Sequence, residues 1–292
     1  MGVLFAASLS LAHPYHPTAS LPEIAASQFI DPQGPVCVGP PNGSLVIGGG
    51  GQLGTTIWQK FLELAGGPEA PIVILPTASG AADRYDTSDN WPSVRALRSV
   101  GAKNVSVVHT RDRGVADTDE FVAPLKRARG VWITGGNQWR LAATYLGTQT
   151  QRALFGVLER GGVIGGTSAG ATIQGVFASF PGRGDKPYEP GFGFLRKVAI
   201  DQHLLARHRE NDLVEVVRDH PEMLGIGIDE STAVIVQDDC MDVLGDSKVA
   251  IYDPSYQGDE DDRPYYFLSP GARFNLRTRS DMSEPKATSS AQ

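Results

Sequence analysis

Cysteine is almost missing: Cys37 and Cys240 are the only two in 292 residues, and they form no C-x-x-C pair. A zinc ligand set and a dithiol redox motif are thereby excluded, and only a disulfide between the two stays open. An excess of positive charge is lacking as well. Lys and Arg number 26 against 33 Asp and Glu, a formal charge of −7, which argues against nucleic acid or an anionic membrane as the main partner. After the first dozen residues no stretch approaches the ~20 apolar residues that cross a bilayer, so the mature protein is expected to be soluble. What is present is ample apolar content, 41%, and 34 glycines. That suits one large α/β domain or two smaller ones.

Gly2 to Ala12 forms a short apolar run ending in Ser10-Leu11-Ala12, a small-residue cleavage pattern, although a positive segment before it is lacking. Residues 1–12 are therefore expected to be a signal peptide, and the protein secreted or periplasmic, with a cytoplasmic location as the alternative. Export would favour a Cys37–Cys240 bridge. Residues 13–43, rich in Pro, Ser and Gly, read as a surface extension, 44–280 as a single domain, and 281–292 as a disordered tail.

Within the domain, short strands that are apolar on both faces alternate with helices. The strands are expected at 44–47, 72–75, 105–108, 130–134 and before Ser168, with helices at 55–65, 91–100, 119–129, 139–146 and ending at 160. This pattern predicts a mostly parallel sheet covered on both sides, with short antiparallel strands near the C-terminus. No internal repeat and no second hydrophobic core is evident. Ligands in such sheets collect at the carboxyl ends of the strands. Gly48–Gln52, Thr77–Gly80, Gly135–Gln138 and Ser168 all fall there. Gly49, Gly51 and Gly54 also satisfy G-x-G-x-x-G, but the next strand ends in Pro76-Thr77-Ala78-Ser79 with no acid for a ribose. A dinucleotide site is therefore disfavoured, and the glycines are expected to let backbone approach a substrate or a neighbouring loop.

Gly162 to Ala171 carries the chemistry. An apolar strand runs into Gly-Thr-Ser-Ala-Gly, where small residues allow a sharp turn that holds the Ser168 hydroxyl out of the core beside the amide of Ala169. A serine needs an imidazole to take its proton and an acid to orient that imidazole. Of six histidines, His203 follows a strand end directly, whereas His109, His208 and His220 are expected to be solvated. Asp229 and Glu230 both follow the apolar run 226–228; strand alternation turns one of them to the site and leaves open which.

Four motifs in order, Gly-Gly-Asn-Gln at 135–138, Gly-Thr-Ser-Ala-Gly-Ala at 166–171, Asp-Gln-His-Leu-Leu-Ala-Arg-His-Arg at 201–209 and Gly-Ile-Gly-Ile-Asp-Glu-Ser-Thr-Ala at 225–233, resemble the serine peptidase family that contains cyanophycinase and peptidase E. The resemblance spans roughly residues 44–255. It implies a flavodoxin-like three-layer sandwich, no metal or cofactor, a possible homodimer, and a Ser168, His203, Glu230 triad. It also implies an oxyanion hole from the amides of Ala169 and of Gly136 or Asn137, and substrate contacts from Gln138, Asp201, Gln202, Arg207 and Arg209. The implied substrate is cyanophycin, a poly-aspartate bearing isopeptide-linked arginine, or an aspartyl peptide. Arginine forks suit a substrate with free carboxylates, and Arg207 and Arg209 at a helix start would oppose the helix dipole, which favours a functional role. Asp212 stands where the family pattern has a further arginine. An aspartyl dipeptidase and a catalytically silent binding relative are the competing readings. The order Ser, His, acid departs from that of α/β-hydrolases.

Overall fold

A computed structural model describes residues 37–84, 91–179, 188–256, 258 and 263–282. The expected signal segment 1–12, most of the extension and the tail beyond 282 lie outside these residues. The first half of the chain alternates as its pattern dictates: β1 (Ser44–Gly48), α1 (Thr55–Ala65), β2 (Ile72–Leu75), α2 (Pro92–Ser99), β3 (Val105–Val107), α3 (Arg113–Ala116), α4 (Asp119–Arg127), β4 (Gly130–Ile133), α5 (Gln138–Tyr145), α6 (Gln149–Glu159), β5 (Val163–Thr167) and α7 (Ala169–Thr172). Then follow β6 (Phe177–Ser179), β7 (Tyr188–Pro190), β8 (Val198–Gln202), α8 (Val214–Asp219), β9 (Leu224–Ile228), β10 (Thr232–Gln237), β11 (Cys240–Gly245), β12 (Val249–Tyr252), β13 (Tyr266–Leu268), β14 (Arg273–Asn275) and β15 (Ser280–Asp281).

Nine strands form one sheet in the order β15-β14-β11-β10-β1-β5-β4-β2-β3. The five from β1 to β3 are parallel, and β10, β11, β14 and β15 extend the sheet antiparallel from β1. Alternation decides the layers. Val46, Ile72, Ile74 and Trp132 face α1 and α2, packing on Ile57, Phe61 and Leu97. Leu45, Ile47, Val73, Leu75, Val131 and Ile133 face the opposite way, onto α4, α5, α6 and α7.

The single sheet read from the sequence is here two. β8 and β9 are apolar and pair in parallel, yet they do not join the first sheet; with β6, β7, β12 and β13 they build a second sheet in the order β13-β12-β9-β8-β6-β7. Its inner face, with Val198, Ile200, Ile226 and Ile228, shares the core of the first sheet. Its outer face carries a further cluster of Leu204, Val216, Met223 and Tyr252, so more than one apolar core exists. Apolar strands of equal length carry no mark of which sheet they join. The bridge left open is absent, and the packed domain starts earlier than expected. Cys37 and Cys240 are not bridged: Cys37 is buried, and the Cys240 Sγ accepts from Arg273 Nε at 2.9 Å. Packed structure also reaches back before residue 44, since Gly39 N–H donates to Asp238 O and Val38 O accepts from Arg196 N–H.

Candidate active site

Ser168 occupies the turn between β5 and α7 at φ 53° and ψ −118°, a strained conformation for a residue with a side chain. Such a residue persists only where its surroundings over-determine it, at a cost of about 1–3 kcal/mol. The neighbouring glycines explain how. A Cβ on Gly170 would lie 2.1 Å from Ile133 O, and one on Gly166 would lie 2.2 Å from Gly170 O, so only hydrogen fits at either position. Ser168 N–H donates to Gly48 O at 3.0 Å, tying the turn to the end of β1.

His203 follows β8 with φ 56°, and its N–H donates to Gly49 O at 2.9 Å. Its ring spans the gap between the two sheets: Nε2 is 2.9 Å from Ser168 Oγ, and Nδ1 is 2.5 Å from Glu230 Oε1. A carboxylate can only accept, so Nδ1 carries the proton and Nε2 is left to accept from the hydroxyl. Burial pushes the imidazole pKa below its ordinary value against the opposing pull of Glu230, and Arg207 and Arg209 push the same way as burial. The ring is thereby kept neutral near pH 7, the form that can take a proton.

The glycine run after β1 serves this arrangement. A Cβ on Gly50 would lie 2.2 Å from His203 Cε1, and one on Gly51 would lie 2.8 Å from Glu230 Oε2. The run approaches a neighbouring loop, as expected. The two acids point in different directions, Glu230 towards His203 and Asp229 away from it. Asp229 accepts from the N–H groups of Leu205 and Ala206, both at 3.0 Å, and from Ser247 Oγ at 2.6 Å. Burial works against its charge, but these hydrogen bonds prevail and hold it below the usual carboxylate range.

Beside Ser168 lies the Gly135-Gly136-Asn137 turn; a Cβ on Gly135 would sit 3.1 Å from Ser168 Cβ. Asn137 does not fit the oxyanion role offered to it. Its N–H is already spent on Ala78 O at 2.9 Å, and its side chain caps α5 by accepting from Trp139 N–H. Gly136 and Ala169 remain the amide candidates.

The residues expected to touch substrate separate by burial. Arg207 is exposed, Gln138 is buried at the first position of α5, and Gln202 is buried with Oε1 3.3 Å from Ser168 Oγ. Asp201 is wholly inside, so it is no surface contact; burial, partly offset by Arg209, pushes its carboxyl up to about 7. Arg209 reaches inward, donating to Gln202 O at 3.3 Å and lying 3.7 Å from Asp201 and 4.0 Å from Asp212. No helix starts at 207–209, since the chain turns there and α8 begins at Val214, so the dipole argument for these arginines falls away.

Sequence reasoning missed two features. A cleft of about 820 Å³ adjoins the turn before Ser168, with Trp58, Trp91, Trp132, Gly135 and Thr167 in its walls. The three tryptophans come from separate elements, and nothing local marks them as neighbours. His109, expected to be solvated, is instead 2.8 Å from Thr77 Oγ1 and 3.1 Å from Asp83 Oδ1. Among the described residues no group of three or more His, Cys, Asp or Glu is placed to hold a metal ion.

Residues 45–244 match the sequence model of peptidase family S51. The chain belongs to that family. Its curated relatives include the cyanophycinases of Geminocystis herdmanii (strain PCC 6308), 34% identical over 72% of this chain and 79% of that one, and of Thermosynechococcus vestitus (strain NIES-2133 / IAM M-273 / BP-1), 33% identical over 77% and 76%. A solved peptidase from an acI-B1 actinobacterium shares the fold at 24% identity and a TM-score of 0.66, covering 81% of this chain and 98% of that one. A putative peptidase E from Listeria monocytogenes EGD-e does so at 17% and 0.51, over 70% and 99%. As an S51 member the protein is a serine-type peptidase with an α/β sandwich fold.

Proposed function

We propose that this S51 peptidase hydrolyses cyanophycin to β-aspartyl-arginine through an acyl-enzyme on Ser168. The observation that carries the reading is the hydrogen-bonded chain from Ser168 Oγ through His203 to Glu230, at 2.9 and 2.5 Å. In this mechanism His203 Nε2 takes the hydroxyl proton while Oγ attacks the scissile carbonyl, and Glu230 stabilises the imidazolium that forms. The amides of Ala169 and Gly136 receive the oxyanion, worth on the order of 3 kcal/mol each. The imidazolium then protonates the leaving amine, and a water activated by the same ring releases the acyl group. The exposed Arg207 supplies a cation for substrate carboxylates. Ser168→Ala is expected to cut release of aspartyl-arginine by about 10⁵-fold or more with the fold intact, measured by incubation with the polymer. Undiminished release refutes the reading.

One observation favours a second reading, an aspartyl dipeptidase. Arg209 faces Asp201 and Asp212 rather than solvent, which leaves less positive charge for an acidic polymer. Parallel assays on cyanophycin, β-Asp-Arg and α-Asp peptides decide between them, and turnover of short Asp-Xaa peptides alone selects the dipeptidase.

A further inference from the structure

We propose that Arg111, which touches neither Ser168 nor His203, is a positioning residue for the oxyanion hole. The inference rests on the serine-hydrolase reading above. Arg111 follows β3, and its guanidinium grips the loop after β2: Nη1 donates to Thr77 O and Nη2 to Ser79 O, both at 2.7 Å. Its Nε donates to both oxygens of Asp83, at 2.6 and 2.8 Å. The residue between the two gripped carbonyls is Ala78. Its carbonyl accepts from Asn137 N–H at 2.9 Å and from Arg140 Nη1 at 3.2 Å.

Three successive carbonyls are thus held from two sides, and the middle one fixes the turn that faces Ser168. Contact is close: a Cβ on Gly136 would lie 2.2 Å from Ala78 O. A peptide unit is planar, so holding Asn137 N–H against Ala78 also fixes the direction of the Gly136 carbonyl. If the Thr77–Ser79 loop loosens, that plane can turn, and the amide that precedes it loses its aim. Small misplacements at such donors matter, because a displacement of about 1 Å lowers rates on the order of 10²-fold.

The surroundings fit a splint rather than a second reaction centre. Thr77, His109 and Asp83 have the connectivity of nucleophile, base and acid, at 2.8 and 3.1 Å. Thr77 is fully buried, however, and its hydroxyl also pairs with Tyr145 OH at 2.5 Å, so no substrate reaches it. Tyr145 ends α5, the helix that the Gly-Gly-Asn turn opens, and the network therefore joins both ends of that helix to one loop.

The test is Arg111→Met, assayed on whichever aspartyl substrate the wild type turns over and titrated with an aspartyl-peptide aldehyde, whose adduct on Ser168 carries an oxyanion. A fall in kcat of about 10–100-fold is expected, with KM within about twofold and the aldehyde weakened by the same factor as kcat. Unchanged kcat, a raised KM with kcat retained, or a lowered kcat with undiminished aldehyde affinity each overturns the proposal. If Arg111→Met melts before assay temperature, Asp83→Asn replaces it. Asp83 is an exposed acid, so Asp83→Asn is expected to cost little stability while lowering kcat and aldehyde affinity together by about 3–10-fold; no change in either overturns the proposal. Ser168→Ala in the same assay separates the two failures: retained turnover defeats the serine reading itself, whereas an inactive Ser168→Ala beside a normal Arg111→Met defeats only the splint.

Discussion

Two titratable residues two positions apart, Asp201 and His203, meet opposite electrostatic demands. Burial lowers His203, so the base stays neutral to a lower pH than a free imidazole. The acid limb of kcat/KM is accordingly expected to have its midpoint below about 6.5, read from a pH–rate profile. Asp201 is shifted the other way. Its folded value of about 7 lies above the roughly 3.9 of an unfolded aspartate, so between these values the folded chain holds the extra proton and stability falls as pH rises. Asparagine has no such proton to lose. The melting temperature of Asp201→Asn relative to wild type is therefore expected to rise by a few degrees between pH 5 and pH 8, and a constant difference contradicts this. At this scale the sequence was informative about residue types and silent about direction. Ser168, His203 and a following acid were legible from strand ends, but Asp229 and Glu230 are adjacent, and only the position of the 204–206 turn sends one to its amides and the other to the imidazole.

The glycine loop between β1 and α1 shows how an element earns its composition. Gly49, Gly51 and Gly54 match a dinucleotide pattern, yet the contacts separate them. Gly50 and Gly51 have φ of 127° and 64° and press on His203 and Glu230, whereas a Cβ on Gly54 would meet nothing within 4 Å. Gly50→Ala is expected to lower kcat by about 10²-fold or more by displacing the imidazole. Gly54→Ala should change stability by no more than about 0.5 kcal/mol. Comparing turnover and melting temperature of the two variants checks both, and equal effects would show that the loop is not a cradle. Helices of the first half were readable because each buries one face at its own period, and most of the strands because they are short, continuous apolar runs. The segment after His203 was not, since its turns are held by Asp229 and by backbone from other elements.

Over the whole molecule, the site lies where two sheets meet, with Ser168 at the end of one and His203 at the end of the other. No covalent bridge joins them. The melting temperature is expected to stay within about 1 °C with and without a thiol reductant, where loss of a disulfide would remove about 2–5 kcal/mol. The sequence by itself determined the alternation of strands and helices, the glycine-lined serine turn and the placing of a histidine and an acid after strand ends, because these follow from local period and from steric room along the chain. Only the tertiary structure decided that β8 and β9 leave the first sheet, that the Asn137 amide is spent on Ala78, and that Asp201 and Arg209 face inward. Each depends on pairing between distant segments. The antiparallel register of β10 on β1 sets Ala233 opposite Gly48 and so brings Glu230 to the glycine loop, and no property of either segment taken alone specifies that meeting.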